Sequence, residues 1–188
     1  MQNGTEAAAE EFEELFVKLY DIAFRVPFDI KTTEAQHYRR YVLQRRTSES
    51  RAHRTQGAMR PRNEYPASFT DAVMSGPARR PDAIQRAPRG LNDGKGFIFI
   101  SHVGEVFPSG FLPISAGNVR QKSVREIYQC SPLFTSLRDT SLLKGKCGFC
   151  EFRNVCGGSR ARAFALTGDP LAEEPCCVYQ PKPTAKRV

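Results

Sequence analysis

The sequence predicts an α+β fold: a helix–strand–helix remnant of a (β/α) barrel, then a small domain of β-hairpin, short helices and a cysteine-bearing loop. Three observations carry this. Apolar residues recur at helical spacing over residues 5–26, and a short β-favouring stretch separates them from a second helical segment. Phe97-Ile-Phe-Ile100 is a strong β run followed by turn residues and a return. Five of the six cysteines fall between Cys147 and Cys177.

The first helix is expected over 5–26, with Thr5 as N-cap, Glu6 and Glu10 near its positive end and Pro27 as terminator. Phe12, Leu15, Phe16, Leu19, Ile22 and Ala23 make its apolar stripe. Phe28–Thr33 reads as a strand and Glu34–Arg46 as a second helix. Residues 47–92 lack any sustained period, are rich in Arg, Pro, Ser, Ala and Gly, and read as a flexible connector. Three units follow: 1–46, the end of a barrel; 47–92, a basic linker; 93–188, the cysteine domain.

In that domain Asp93-Gly-Lys-Gly96 is turn material. Phe97–Ile100 and a strand beginning at Val106 make the hairpin, with His102 on its exposed turn, and Phe111–Val119 is an apolar loop packed against it. Ser123 caps a helix through Tyr128, and Ser131 caps another through Arg138 that turns Leu133, Phe134 and Leu137 inward. Leu142–Val155 is the cysteine loop, and Gly157-Gly158 leads into a helix stopped near Gly168.

Of the 188 residues 40% are hydrophobic, enough for a modest core. The net charge of +8 is uneven: the stretch 39–90 holds twelve arginines against Glu49, Glu64, Asp71 and Asp82, and the remainder is neutral. Basic residues in the least structured stretch make a solvated linker rather than an ordered nucleic-acid face, so no nucleic-acid partner is expected. No apolar run is long enough to span a bilayer and no signal peptide opens the chain, which places it in the cytoplasm with no membrane partner. In that reducing setting clustered cysteines favour metal over disulfides.

Cys147, Cys150 and Cys156 form a C-x2-C-x5-C run, with Cys176 and Cys177 further on. Four thiolates suit soft iron in a [4Fe-4S] cluster, and the same number closes a tetrahedral zinc site. Structural zinc usually uses two short knuckles and only one is present, while the spacing also differs from the compact ferredoxin run. Spacing alone favours iron–sulfur and leaves zinc or disulfides open.

The neighbouring residues narrow this. Cys147-Gly-Phe-Cys150-Glu-Phe-Arg-Asn-Val-Cys156-Gly-Gly-Ser-Arg-Ala-Arg-Ala, then Thr167-Gly-Asp-Pro170 and Glu174-Pro-Cys-Cys177, resembles the SPASM domain, from about Gly96 to Pro181. That module carries auxiliary iron–sulfur clusters at the C-terminus of many radical SAM enzymes. The resemblance implies one auxiliary [4Fe-4S] cluster on Cys147, Cys150, Cys156 and Cys177, with Cys176 as a possible substitute. A second cluster is not expected, because Arg160 stands where fuller members have their next cysteine, and Phe107-Pro-Ser109-Gly110 lacks the hairpin cysteine. By the same resemblance Arg153, Arg160 and Arg162 either offset the cluster's charge or face solvent, and Phe149 and Phe152 shield it.

Ile30-Lys-Thr-Thr-Glu-Ala-Gln-His37-Tyr38-Arg39-Arg40 is similar to the last strand of a radical SAM barrel, especially in enzymes of anaerobic haem biosynthesis and peptide maturation. The analogy sets Lys31, Thr32, Thr33, Glu34 and His37 beside an active site. A lone histidine near a helix start is more often a surface or capping residue, and no catalytic residue is assigned. The C-x3-C-x2-C motif that binds S-adenosylmethionine is absent from these residues. The expectation is therefore the C-terminal part of a radical SAM enzyme, missing its N-terminal barrel half and inactive alone. S-adenosylmethionine belongs to the parent, together with an electron donor or acceptor protein and a peptide or tetrapyrrole substrate. The alternative is a zinc- or iron–sulfur-binding module for protein contact without catalysis.

Overall fold

Two long α-helices, a three-stranded antiparallel sheet, four short α-helices and a 3-10 turn at Thr140–Leu142 are found among the described residues, an α+β architecture. The computed structural model describes residues 3–28, 30, 32–55 and 91–182. Most of the expected connector lies outside them.

Helix α1 spans Asn3–Ala23 and α2 spans His37–Thr55. Because α1 begins at Asn3, Thr5 lies inside the helix and is not its cap. Its last turn closes at Ala23, ahead of Pro27. Ala9, Phe16 and Tyr20 are buried along one stripe, and Phe16 and Tyr20, with the partly buried Phe12 and Leu19, pack on Ala35, Tyr38 and Val42. Leu15 and Ile22, expected to face inward, are 46% and 43% exposed. A helix with one neighbouring helix buries a narrow stripe, so its flanking apolar positions stay outside. Burying Phe16 completely contributes about 1.5–3 kcal/mol, and Tyr20 donates its hydroxyl to Glu49 at 2.9 Å across the pair.

No strand is found among the described residues of the expected 28–33 segment: Phe28, Ile30, Thr32 and Thr33 run as bends and coil. An extended segment becomes a strand only where a neighbour completes its ladder, and no described strand lies beside this one. The second helix starts at His37, three residues later than expected, and continues nine residues past Arg46.

Strand β1 (Phe99–Ile100) pairs with β2 (Glu105–Phe107), Phe99 opposite Phe107 and Ile100 opposite Val106. Gly104 closes the turn with φ 89°, and His102 is exposed on it as expected. The expected apolar loop 111–119 contains a third strand, β3 (Gly117–Asn118), which pairs Val106 with Gly117. Glycine and asparagine are poor strand formers, so tertiary pairing decides here.

Helix α3 (Val124–Cys130) has Ser123 as N-cap, accepting from the Glu126 N–H. Helix α4 (Pro132–Arg138) follows Ser131, whose side chain makes no capping bond; Pro132 at the first helical position has no N–H to satisfy. Phe134 and Leu137 turn inward as read from the sequence, beside Val106, Ile127, Leu112 and Ala161. Within the expected cysteine loop a short helix, α5 (Gly145–Phe149), forms. Helix α6 (Arg160–Thr167) has Ser159 as its N-cap and ends at Gly168 with φ 76°.

Candidate metal centre

The thiols are positioned by turns within the loop and by contacts between the loop and the tail. Lys144 N–H donates to the Leu171 carbonyl at 2.8 Å and Lys146 N–H to Glu173 at 2.7 Å, which holds the start of α5 against the tail. Cys147 is buried on α5 and Cys150 sits one residue past its end. Two turns, Arg153 N–H to the Cys150 carbonyl and Cys156 N–H to the Phe152 carbonyl, return the chain to Cys156. The Lys146 ammonium then grips the Cys177 carbonyl at 2.6 Å.

In this way Cys147, Cys150, Cys156 and Cys177 line one cavity that opens to solvent. Cys176 is buried but does not line it, and Cys130 is exposed at the end of α3. Among the described residues no three His, Cys, Asp or Glu side chains converge tightly enough to hold a metal ion as a group.

Backbone N–H groups are directed at sulfur: Gly158 to Cys156 Sγ at 3.4 Å and Glu174 to Cys147 Sγ at 3.3 Å, with the Phe152 and Tyr179 backbones also acting on Cys150 and Cys177. Arg40, Lys146 and Arg153 also line the cavity, so cations surround it. Burial pushes the Cys150 and Cys177 thiols above their ordinary range and Cys156 up to about 12. Four thiols, Cys147 buried and the other three half-buried, with sulfur-directed N–H groups and a basic rim suit an anionic thiolate–metal assembly, and the residues fit an iron–sulfur group on these grounds.

The wall opposite the loop comes from α2. His37, the first residue of that helix, is fully buried and lines the cavity, so it is neither a surface nor a capping residue. Burial first, then the charges of Arg162, Arg40 and Lys146, hold its pKa down to about 3, leaving the ring neutral. Arg39 donates to the Leu91 carbonyl at 2.6 Å and the Val155 carbonyl at 3.2 Å, pinning the loop to α2. Of the other residues set beside the site by analogy, Lys31 lies outside the described residues and Thr33 is exposed. Thr32 donates to the Ala35 carbonyl at 3.2 Å, and Glu34 accepts from the Ser159 hydroxyl.

None of the three arginines simply faces solvent. Arg153 donates to the Gly148 carbonyl at 2.6 Å on the cavity wall. Arg160 is 1% exposed and holds the Pro170 and Ala172 carbonyls at 3.0 and 2.7 Å. Arg162 pairs with Glu174 at 2.6 Å. Phe149 is 43% exposed and neither it nor Phe152 lines the cavity; the aromatic side chain that does is Tyr179, edge-on to Phe152 and beneath Arg40.

Sequence reasoning missed the buried carboxylates. Glu174, 1% exposed, accepts from Ser159 N–H at 2.5 Å, Cys176 N–H at 3.1 Å and Arg162. Asp93 accepts from the Arg160 and Ala161 N–H groups at 3.1 and 3.0 Å, where the positive end of α6 favours a carboxylate. The signal available was position: Glu174 lies two residues before the cysteine pair, and Asp93 opens a turn.

The glycines are required by protein atoms. A Cβ on Gly148 would sit 2.3 Å from the Leu143 carbonyl oxygen. Gly158 has φ 68°, and its Cβ would approach Glu174 Cβ to 2.6 Å and Cys147 Sγ to 3.5 Å. Gly158→Ala is expected to destabilise the metal-free protein by about 2–4 kcal/mol, combining left-handed strain with overpacking. Urea unfolding followed by far-UV circular dichroism checks this, and an unchanged midpoint would contradict it.

No helix of the described residues is long and apolar enough to cross a membrane. Fold and cavity define an α+β protein with a four-thiol pocket. No family model matches the chain. It is similar to an AdoMet-dependent heme synthase of Oleidesulfovibrio alaskensis, 39% identical over 181 residues, covering 95% of this chain and 40% of that protein. A second AdoMet-dependent heme synthase, from Nitratidesulfovibrio vulgaris, is 37% identical over 93% of this chain and 41% of its own length. A PqqA peptide cyclase of Methylocella silvestris is 33% identical over 63% of this chain and 29% of that protein. The chain spans about two fifths of the length of the heme synthases it matches. These matches fall in the C-terminal part of radical SAM/SPASM proteins, and the chain belongs to that family.

Proposed function

We propose that the chain seats one auxiliary [4Fe-4S] cluster on Cys147, Cys150, Cys156 and Cys177, within a radical SAM enzyme that forms heme from a tetrapyrrole precursor. The observation that carries the first half is the single cavity lined by all four thiols. A single zinc ion with Zn–S bonds of about 2.3 Å would draw its sulfurs to within about 4 Å of one another. In a cluster each thiolate binds its own iron and the sulfurs stand farther apart, so the sulfur spacing of the loaded protein separates the two. The second half rests on the heme synthases that align with nearly the whole chain.

When bound, the cluster would supply one-electron transfer or a Lewis-acidic hold on substrate. The chain's own residues bind and tune. Gly158 and Glu174 N–H groups donate to ligand sulfur, while Arg40, Lys146 and Arg153 balance negative charge. On this reading residues 1–46 end the barrel, 47–92 connect, and 93–188 form the SPASM domain, in a reducing cytoplasm with an electron-carrier protein as partner. These 188 residues hold no C-x3-C-x2-C motif, so cleavage of S-adenosylmethionine is not proposed for them alone.

Anaerobic reconstitution with iron and sulfide, followed by metal and sulfide analysis, tests the cluster. Iron and acid-labile sulfide near four of each per chain are expected. Retention of zinc in preference to iron, or of no metal, would overturn the assignment in favour of a non-redox module.

A further inference from the structure

His37 has no role in the reading above, yet it is the least ordinary side chain in the cavity wall. It is fully buried, and neither Nδ1 nor Nε2 has a hydrogen-bond partner. Two phenyl rings hold the imidazole edge-on, Phe12 with its centroid at 5.0 Å and Phe16 at 4.8 Å. Its ring is therefore fixed by packing between α1 and α2, and it lines the same cavity as the four thiols. Two orphaned nitrogens on a rigid, dry ring are costly unless whatever fills the cavity satisfies one of them.

We infer that His37 is a positioning residue for the cluster: its ring N–H donates a hydrogen bond to a thiolate or sulfide sulfur. This deepens the proposed function and rests on it. Hydrogen bonding is favoured over ligation to iron because four thiols already line the cavity and satisfy four iron corners. A sulfur that accepts an N–H carries less electron density, so the more negative reduced state is stabilised and the reduction potential rises. The Gly158 and Glu174 N–H groups already act on Cys156 and Cys147; His37 would extend this control to the α2 side of the cavity.

The test uses the full chain as wild type, His37→Phe and His37→Gln, each reconstituted anaerobically and titrated with dithionite while the reduced cluster is followed by electron paramagnetic resonance. Phenylalanine keeps the aromatic packing and removes the donor, whereas glutamine restores a donor. All three are expected to bind equal iron and sulfide. The midpoint should fall in His37→Phe and recover in part in His37→Gln. An unchanged midpoint in His37→Phe would overturn the inference. A second measurement needs no variant: histidine-selective ¹⁵N labelling of the wild type should give a weak nitrogen coupling to the reduced cluster. The other two histidines are His53 and the exposed turn residue His102. No coupling would overturn the hydrogen bond, and a strong coupling lost together with iron in His37→Phe would replace it with ligation. Wild type that loads no iron and sulfide would overturn the cluster reading itself, and this inference with it; loading with an unchanged midpoint removes only the role of His37.

Discussion

Glu174→Ala is expected to destabilise the metal-free protein by about 3–5 kcal/mol, because one buried carboxylate satisfies three donors. Removing it takes from the Arg162 guanidinium its paired carboxylate, leaving it the Glu34 carbonyl at 2.7 Å, and leaves the Ser159 and Cys176 N–H groups without their acceptor. Arg162 retains 20% exposure, which moderates the charge penalty, so the two N–H groups decide whether the upper part of the range is reached. The N-cap of α6 and the segment leading to Cys177 should loosen together, since Glu174 joins them. Chemical denaturation followed by circular dichroism suits a chain with no tryptophan. Glu126→Ala serves as the comparison: its partner Lys122 is 3.5 Å away and both are well exposed, so its loss should cost less than about 0.5 kcal/mol. Equal midpoints for Glu174→Ala and wild type would show that the buried carboxylate does not hold the two segments together.

Much of the site was legible because its signals are local. Ser123 caps α3 through a bond three residues on, and Gly168 stops α6 by its own backbone freedom. The spacing of Cys147, Cys150 and Cys156 likewise encodes how a short helix and two turns aim three sulfurs into one cavity. What escaped depends on contacts between distant residues. Ser159 meets Glu34 across 125 positions of sequence, and Asp93 reaches the start of α6 across 67. His37 illustrates the limit: nothing in its neighbours in sequence says that Phe12 and Phe16 will bury it. The strand expected at 28–33 and not found among the described residues there has the same origin, because a β-favouring composition does not supply a pairing partner.

The adjacent pair Cys176 and Cys177 gives the sharpest test of the ligand set. Replacing Cys147, Cys150, Cys156 or Cys177 singly with serine should weaken iron binding by at least about tenfold, since loss even of an outer-shell partner typically costs about 10–100-fold. Cys130→Ser and Cys176→Ser should bind iron as wild type does. Geometry favours Cys177 as the fourth ligand. Its side chain lines the cavity and its carbonyl is anchored by Lys146 at 2.6 Å, while Cys176 has its N–H tied to Glu174 and lies outside the lining. Serine is close to cysteine in size, so a variant that keeps wild-type circular dichroism but loses iron has lost a ligand rather than its fold. Iron and sulfide per chain, with the visible thiolate-to-iron absorption, are the readouts. Loss of iron in Cys176→Ser with retention in Cys177→Ser would transfer the fourth position to Cys176. Retention in all the single variants would remove the case for thiolate ligation altogether, and the cavity would then be an ordinary hollow in which buried thiols stay protonated.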